Sequence, residues 1–298
     1  MRSISGKNWE ELKSNNRLIE KAKIDHELSD IQARLVISRN FSNEEIYSIK
    51  NRINFENPFL RTKDFLLGCD LLKNHIIKKN NILVIGDYDV DGCVSTSLII
   101  QVLKIQKVPY FYHIPNRFKD GYGTNLKLLK KLIEKKPKLV ILVDNGSNAL
   151  ESINYLNKKK IKTIIIDHHE IYKPYPNCGS LINPKKKKSI NNYDIFCSAV
   201  LTYFFLEIYL NKKLLKVNFE ENLILVLMAI VSDVMPLRKI NRLIAIKVIK
   251  NLNLYNNYIF KKIFELKKIN KPIEIDDFAF LFGPIVNSLG RLDNANDV

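Results

Sequence analysis

Three apolar stretches of this chain end in aspartate: Ile85-Gly86-Asp87, Leu142-Val143-Asp144 and Ile165-Ile166-Asp167. One aspartate after an apolar run could be a helix N-cap. Three are harder to assign that way, because clustered carboxylates repel one another unless a cation sits between them. The first belongs to Asp87-Tyr88-Asp89-Val90-Asp91-Gly92, which opens like the D-x-D-x-D-G of an EF-hand calcium loop. That reading fails at the twelfth position, where Leu98 replaces the bidentate glutamate, and at the preceding segment, which is a strand and not a helix. The alternative is a strand-to-helix turn in which Asp89 and Asp91, two apart in extended backbone, address a pair of metal ions. Gly92 then lets the backbone enter a helix whose first amides can face an anion.

The third aspartate heads Asp167-His168-His169. Two adjacent histidines beside an aspartate at a strand end point to metal or phosphate chemistry. Carboxylates with imidazole and no thiolate suit Mn²⁺ or Mg²⁺ better than a closed structural zinc site. A further acid, Asp233 in Ile230-Val231-Ser232-Asp233-Val234-Met235-Pro236-Leu237, follows an apolar helix and precedes a proline. Spacing alone does not separate a ligand from a polar helix end there. Several carboxylates with one or two histidines describe a two-metal hydrolase, whose ions about 3.5–4 Å apart act on an in-line displacement at phosphorus. The residues point to phosphoester hydrolysis without naming the substrate.

Positioning such groups takes an α/β fold. Strands are predicted at 81–86, 108–114, 139–143 and 163–166, alternating with helices at about 93–104, 124–135 and 148–158. This repetition implies a parallel β-sheet flanked by helices on both faces, with ligands at the carboxyl ends of the strands. The first eighty residues read as helical: Ser42-Asn43-Glu44-Glu45 is a capping box, and Thr62 opens a periodic stretch through Phe65, Leu66, Leu72 and Ile76. After 191 the chain is helical again, at 196–210, 220–231, 241–251 and 257–267. Tyr203, Phe204 and Phe205, consecutive on a helix, are expected in the core. The expected organisation is a helical segment 1–79, a metal-binding α/β domain 80–237 and a helical extension 238–298.

Hydrophobic residues make up 46% and charged residues 27% of the 298, ordinary for a soluble globular protein. No apolar run approaches the roughly 18–20 residues that span a bilayer, and residues 1–7 lack the apolar stretch of a secretory signal, so a cytoplasmic protein is expected. Four cysteines without a CxxC pair read as buried free thiols. A net charge of +17 favours a polyanionic partner, although lysine, isoleucine and asparagine abound throughout, as in proteins of AT-rich genomes. The run Lys185–Lys188, after Asn183-Pro184, is either solvated or in contact with phosphate.

Taken in order, Asp87–Gly92, Val143-Asp144-Asn145-Gly146, Asp167-His168-His169 and Ser232-Asp233-Val234 resemble the four motifs of the DHH phosphoesterase superfamily. Ile114-Pro115-Asn116-Arg117-Phe118-Lys119-Asp120-Gly121-Tyr122-Gly123, Ile182-Asn183-Pro184-Lys185 and Gly283-Pro284-Ile285-Val286-Asn287-Ser288-Leu289-Gly290-Arg291-Leu292 are similar to its RecJ branch. The resemblance covers about residue 40 to the end. It implies metal ligation by Asp89, Asp91, Asp144, His168 and Asp233, with Asp144 bridging two Mn²⁺ or Mg²⁺ ions. His169 takes the place of the second motif histidine, a ligand or phosphate contact. Asp87 is expected to orient ligands, and Arg117, Asn287 and Arg291 to face the DNA backbone or scissile phosphate.

The implied activity is 5′→3′ exonuclease action on single-stranded DNA in repair and recombination, with a single-strand-binding protein or helicase as possible further partners. The altered stretch Cys197-Ser198-Ala199-Val200 is expected to touch no ligand. The branch carries a DHHA1 domain and an oligonucleotide-binding domain after the segment resembled here. The chain is therefore expected to be a fragment, feeble on long strands, with an exposed apolar patch near 280–292. Two other readings are a phosphodiesterase for short oligonucleotides or cyclic dinucleotides, and a non-catalytic single-strand-binding scaffold. The long helical half and the Pro-Asn-Arg-Phe loop disfavour the first. The full set of ligands disfavours the second.

Overall fold

Side-chain caps start the first three helices, which lie in a unit spanning Met1–Phe55. Asn15 accepts from the Arg17 amide to open α1 (Asn16–His26), and Ser29 and Gln32 form a capping box on α2 (Asp30–Ser38). At α3 (Asn43–Lys50) the predicted box is present: the Ser42 amide donates to Glu45 Oε2 at 2.9 Å and the Glu45 amide to Ser42 Oγ at 3.3 Å. Ile19, Ala22, Leu28, Ala33, Val36 and Ile46 form the core of this unit. The structure is a computed structural model that describes residues 4–8, 10, 13–50, 56–116, 121, 123–186, 193–212, 218–251 and 258–292.

The second unit, Glu56–Val298, holds the sheet. Its elements run α4 (Lys63–Ile77), β1 (Ile82–Ile85), α5 (Val90–Ile105), β2 (Tyr110–His113), α6 (Leu126–Leu132), β3 (Leu139–Val143), α7 (Leu150–Lys158), β4 (Lys162–Ile166) and β5 (Ser180–Ile182). Then follow α8 (Ser198–Lys212), α9 (Leu223–Ser232), α10 (Lys239–Asn251), α11 (Tyr258–Leu266), α12 (Ile275–Asp277) and α13 (Gly283–Leu292), with a π-helical turn Phe278–Phe282 before the last. All five strands are parallel, in the order β2-β1-β3-β4-β5. The sequence reading lacks β5. Only three residues long and preceded by Gly179, it has no apolar run to announce it, and it is held by pairing Ile164, Ile165 and Ile166 with Ser180, Leu181 and Ile182.

The strands read as unbroken apolar runs because helices cover both faces of the sheet. Leu83, Ile85, Val140, Leu142, Ile165 and Leu181, alternate residues along four strands, pack with Leu129 of α6 and with Ile153 and Leu156 of α7. On the other face α5 packs on β1, β2 and β3, and α8 lies against α5 and β4. Helix α8 is buried nearly all round, with Tyr203, Phe204 and Phe205 in the core as expected. Helix α4 packs on α8 and β5, and α10 and α13 on α9, so the boundaries placed at 79 and 237 fall inside this unit.

The strand order reverses between β1 and β3. In doubly wound sheets, ligands bind outside the carboxyl ends of the strands at such a switch point. Among the described residues no helix is long and apolar enough to cross a membrane. The four cysteines are free thiols, with Cys178 only half-buried.

Candidate metal centre

Register sets the strand-end aspartates side by side. Val143 is paired with Ile166 and Ile166 with Ile182. One residue further on, the Asp144 amide donates to Ile166 O and the Asp167 amide to Ile182 O, both at 2.9 Å. Buried Asn145 ties the switch point together: its Nδ2 donates to Gly86 O at 3.0 Å and Val143 O at 2.8 Å, and its Oδ1 accepts from Thr124 Oγ1 at 2.6 Å. After β1, Asp89 caps α5 by accepting from the Gly92 amide at 2.9 Å. Position 92 needs glycine for room: a Cβ there would lie 2.4–2.6 Å from the backbone of Asp87.

These turns aim a cluster of acids at His168. Its Nε2 lies 3.4 Å from Asp144 Oδ1, 3.5 Å from Asp233 Oδ2 and 3.6 Å from Asp91 Oδ2. Two overlapping triads, Asp91-His168-Asp233 and Asp144-His168-His169, bring ligand atoms close enough to share an ion. Asp233 follows the last turn of α9, and the next residue, Val234, sits at φ +54°. That conformation is uncommon for a β-branched residue, and such backbone strain clusters at functional sites.

Asp91 is gripped by the start of α8. The Ser198 amide donates to its Oδ2 and the Ala199 amide to its Oδ1, each at 2.7 Å, and Ser198 Oγ donates to Asp144 Oδ1 at 3.1 Å. The expectation that Cys197–Val200 touches no ligand is therefore corrected. Helix α8 offers its unpaired first amides to one carboxylate, and its hydroxyl orients a second.

Asp167, not among the predicted site residues, organises the histidine pair. Its Oδ1 accepts from the amides of His168 and His169 and from His169 Nδ1 at 2.8 Å, while Oδ2 accepts from the Ser147 amide. Burial would raise the Asp167 carboxyl, but the hydrogen bonds from His169 and Ser147 overcome it and bring it down to about 2. The same contact raises His169, whereas burial outweighs nearby Asp91 and lowers His168. The adjacent rings are thus set for different work. Burial favours neutral His168, as a ligand must be, whereas the Asp167 contact favours the charged form of half-exposed His169.

Burial, followed by neighbouring acids, raises Asp89 and lifts Asp144 well above the carboxylate range. Asp87 and Asp233 are pushed up to about 7 for the same reasons. Asp144 Oδ2, Asp233 Oδ2 and His168 Nδ1 are buried without a hydrogen-bond partner among the described residues. Orphaned buried oxygens in a like-charged cluster are the condition a divalent cation relieves. The thiols nearest these acids, Cys93 and Cys197, are held protonated by burial. The donor set is therefore oxygen and imidazole, and it fits a hard divalent ion.

Of the residues singled out by sequence, Asp91, Asp144, His168, His169 and Asp233 form the two triads, and Asp89 lines a cleft with Asp91 and Asp233. Asp87 is buried beside them, with Oδ1 accepting from the Tyr88 amide at 2.7 Å, and belongs to neither triad. Asn287 lines a cleft of about 240 Å³ with Asp89, Asp91 and Asp233, and its Oδ1 accepts from the Val90 amide at 3.1 Å. Arg117 and the Arg291 side chain lie outside the described residues. Phe280 and Val234, 80% and 86% exposed, flank an adjoining apolar groove, in keeping with the patch expected near 280–292.

An open parallel sheet with a carboxylate–histidine cluster at its switch point defines an α/β protein whose buried acids and imidazole could hold a divalent cation. A family model, "DHH family, N-terminal domain", matches residues 81–230, and the chain belongs to that family. Among its relatives are the single-stranded-DNA-specific exonuclease RecJ of Bacillus subtilis, 27% identical over 90% of this chain and 34% of the relative, and that of Haemophilus influenzae, 29% identical over 77% of this chain and 42% of the relative. The chain thus spans between a third and a half of the length of these relatives. The same fold occurs in the crystal structure of RecJ in complex with Mn²⁺ from Thermus thermophilus, with a TM-score of 0.77 at 19% identity over 95% of this chain and 41% of that one.

Proposed function

We propose that the chain carries the catalytic centre of a two-metal phosphodiester hydrolase, a 5′→3′ exonuclease specific for single-stranded DNA that serves repair and recombination in the cytoplasm. The observation that carries this reading is the convergence of Asp91, Asp144, His169 and Asp233 around buried His168 in two overlapping triads, in a family whose relatives bear that exonuclease name. Asp89, Asp91, Asp144, His168 and Asp233 would hold two Mn²⁺ or Mg²⁺ ions. When bound, such ions supply positive charge to the phosphoryl oxygens and make a water easier to deprotonate. The remaining work falls to the chain. Ser198, Ala199 and Asp167 fix the ligands in place. His169, held by Asp167, offers a proton or hydrogen bond to the phosphate. Asp87 supports the loop from below, and Asn287, Arg117 and Arg291 position the strand backbone without reading bases.

Incubation of the chain with a 5′-phosphorylated single strand, the matching duplex and a cyclic dinucleotide, each with Mn²⁺ or with EDTA, tests the reading. The expected result is slow, Mn²⁺-dependent release of mononucleotides from the 5′ end of the single strand, in keeping with the feeble action expected of a fragment, with the duplex and the cyclic dinucleotide largely untouched. Cleavage confined to the cyclic dinucleotide would move the protein to the other phosphodiesterase class. Tight strand binding without turnover would support a scaffold.

A further inference from the structure

The lysine run after β5 is not absorbed by the metal centre. Of its two described members, Lys186 is turned elsewhere: its Nζ pairs with Asp64 at 3.0 Å and its carbonyl accepts from Tyr175 Oη at 2.6 Å. Lys185 is placed differently. It leaves the carboxyl end of β5, on the sheet edge that also carries Asp144 and Asp167. Buried Asn183 ties this turn to the site, its Oδ1 accepting from the Lys185 amide at 2.8 Å while Nδ2 donates to His169 O at 3.0 Å and Ser147 Oγ at 2.8 Å. The Lys185 ammonium then ends 2.9 Å from Glu170 Oε1, on the residue that follows His169.

Lys185 is thus held to the histidine segment at two points, through Asn183 on the His169 carbonyl and through its own ammonium on Glu170. Its partner Glu170 is 67% exposed, so the pair faces water and is weakly held. A phosphodiester oxygen brought into the cleft offers the ammonium a charge-assisted bond in a less hydrated place.

We propose that Lys185 is a substrate-positioning residue, exchanging Glu170 for a non-bridging oxygen of the phosphate at the metal centre. The proposal rests on the phosphodiester-hydrolase reading above. Glu170 acts as a placeholder that keeps the cation beside the His169 segment until a strand arrives.

The test compares the wild-type chain with Lys185→Ala, Lys185→Arg and Glu170→Gln. Affinity for a labelled single strand is read by fluorescence anisotropy across a salt series before product forms. Initial rates in Mn²⁺ are measured alongside, and the Mn²⁺-induced shift in Tm reports that each variant keeps its centre. Lys185→Ala is expected to weaken affinity about 10-fold and to lower the salt slope by about 0.7, the value of one phosphate contact. Lys185→Arg should recover most of both, and Glu170→Gln should bind at least as tightly as wild type. If Lys185→Ala matches an active wild type in affinity and slope, the proposal is overturned and the hydrolase reading stands. Equal losses in Lys185→Ala and Glu170→Gln with no change in slope would make the pair merely structural. A wild-type chain that shows the Mn²⁺ shift but neither binds nor cleaves the strand would sink both readings.

Discussion

Asp144→Asn is expected to reduce metal-dependent hydrolysis by more than about 100-fold, the upper end of what losing even an outer partner of a metal ligand costs, while making the metal-free protein more stable. Both effects follow from its place. Asp144 is fully buried, faces His168 at 3.4 Å and accepts from Ser198 Oγ, and its second oxygen has no hydrogen-bond partner among the described residues. Burial and then Asp91 and Asp89 lift its carboxyl well above the ordinary range, and burial with neighbouring acids pushes Asp87 and Asp233 up to about 7.

Each of these acids binds its proton more tightly folded than unfolded. Their contribution is therefore fully present below the unfolded value near pH 4 and is lost as pH rises through the folded values. The metal-free wild type should lose thermal stability from about pH 4 to pH 7, the reverse of the usual trend for a salt-bridged aspartate. Mn²⁺ should restore it: binding at about 100 times Kd contributes about 2.7 kcal/mol, or roughly 5–10 °C in Tm for a chain of this size. Asp144→Asn, retaining an acceptor for Ser198, should show a flatter pH profile, a higher metal-free Tm at neutral pH and almost no Mn²⁺ shift. Melts at several pH values with EDTA or Mn²⁺ check all three. A variant that melts lower than wild type in EDTA would show that Asp144 stabilises the fold and is not held under repulsion.

Gly92→Ala should be the most damaging single-methyl change at the centre. The added Cβ would meet the Asp87 carbonyl oxygen at 2.4 Å, its amide nitrogen at 2.5 Å and its Cα at 2.6 Å. These are backbone atoms of the same loop, so no rotamer change relieves the clash, and overpacking of this kind costs about 1–3 kcal/mol or more. The relief available is a shift of the segment carrying Asp89 and Asp91, which breaks the Gly92 amide cap and moves Asp91 from the Ser198 and Ala199 amides. The expected outcome is a Tm lower by about 3–10 °C with loss of Mn²⁺ binding, measured by melting and isothermal titration. Native Mn²⁺ affinity in this variant would show that the loop is less constrained than its contacts imply.

Much of this arrangement was legible in the sequence because parallel strands covered on both faces must be apolar throughout, so an aspartate closing such a run stands out. Asp87, Asp144 and Asp167 marked their strand ends, and the Ser42 and Glu45 box marked α3. What stayed hidden depends on partners far apart in the chain. The hold of Ser198 and Ala199 on Asp91 spans more than a hundred residues and uses backbone amides, which carry no residue signature. The bond between Asn287 and Val90 spans 197 positions. Asp167 was visible as a strand end, but its service to His169 depends on ring orientation. Strand β5 is too short and too polar at its start to register as a period-two or apolar run.

Anomalous X-ray scattering from crystals of the chain grown with Mn²⁺ tests most directly whether this cluster holds divalent cations. Peaks at the manganese edge are expected, bounded by Asp89, Asp91, Asp144, His168 and Asp233, and absent from crystals of Asp144→Asn. Crystals saturated with Mn²⁺ that show no peak among these side chains, with the carboxylates protonated and bonded to one another instead, would contradict a metal centre here.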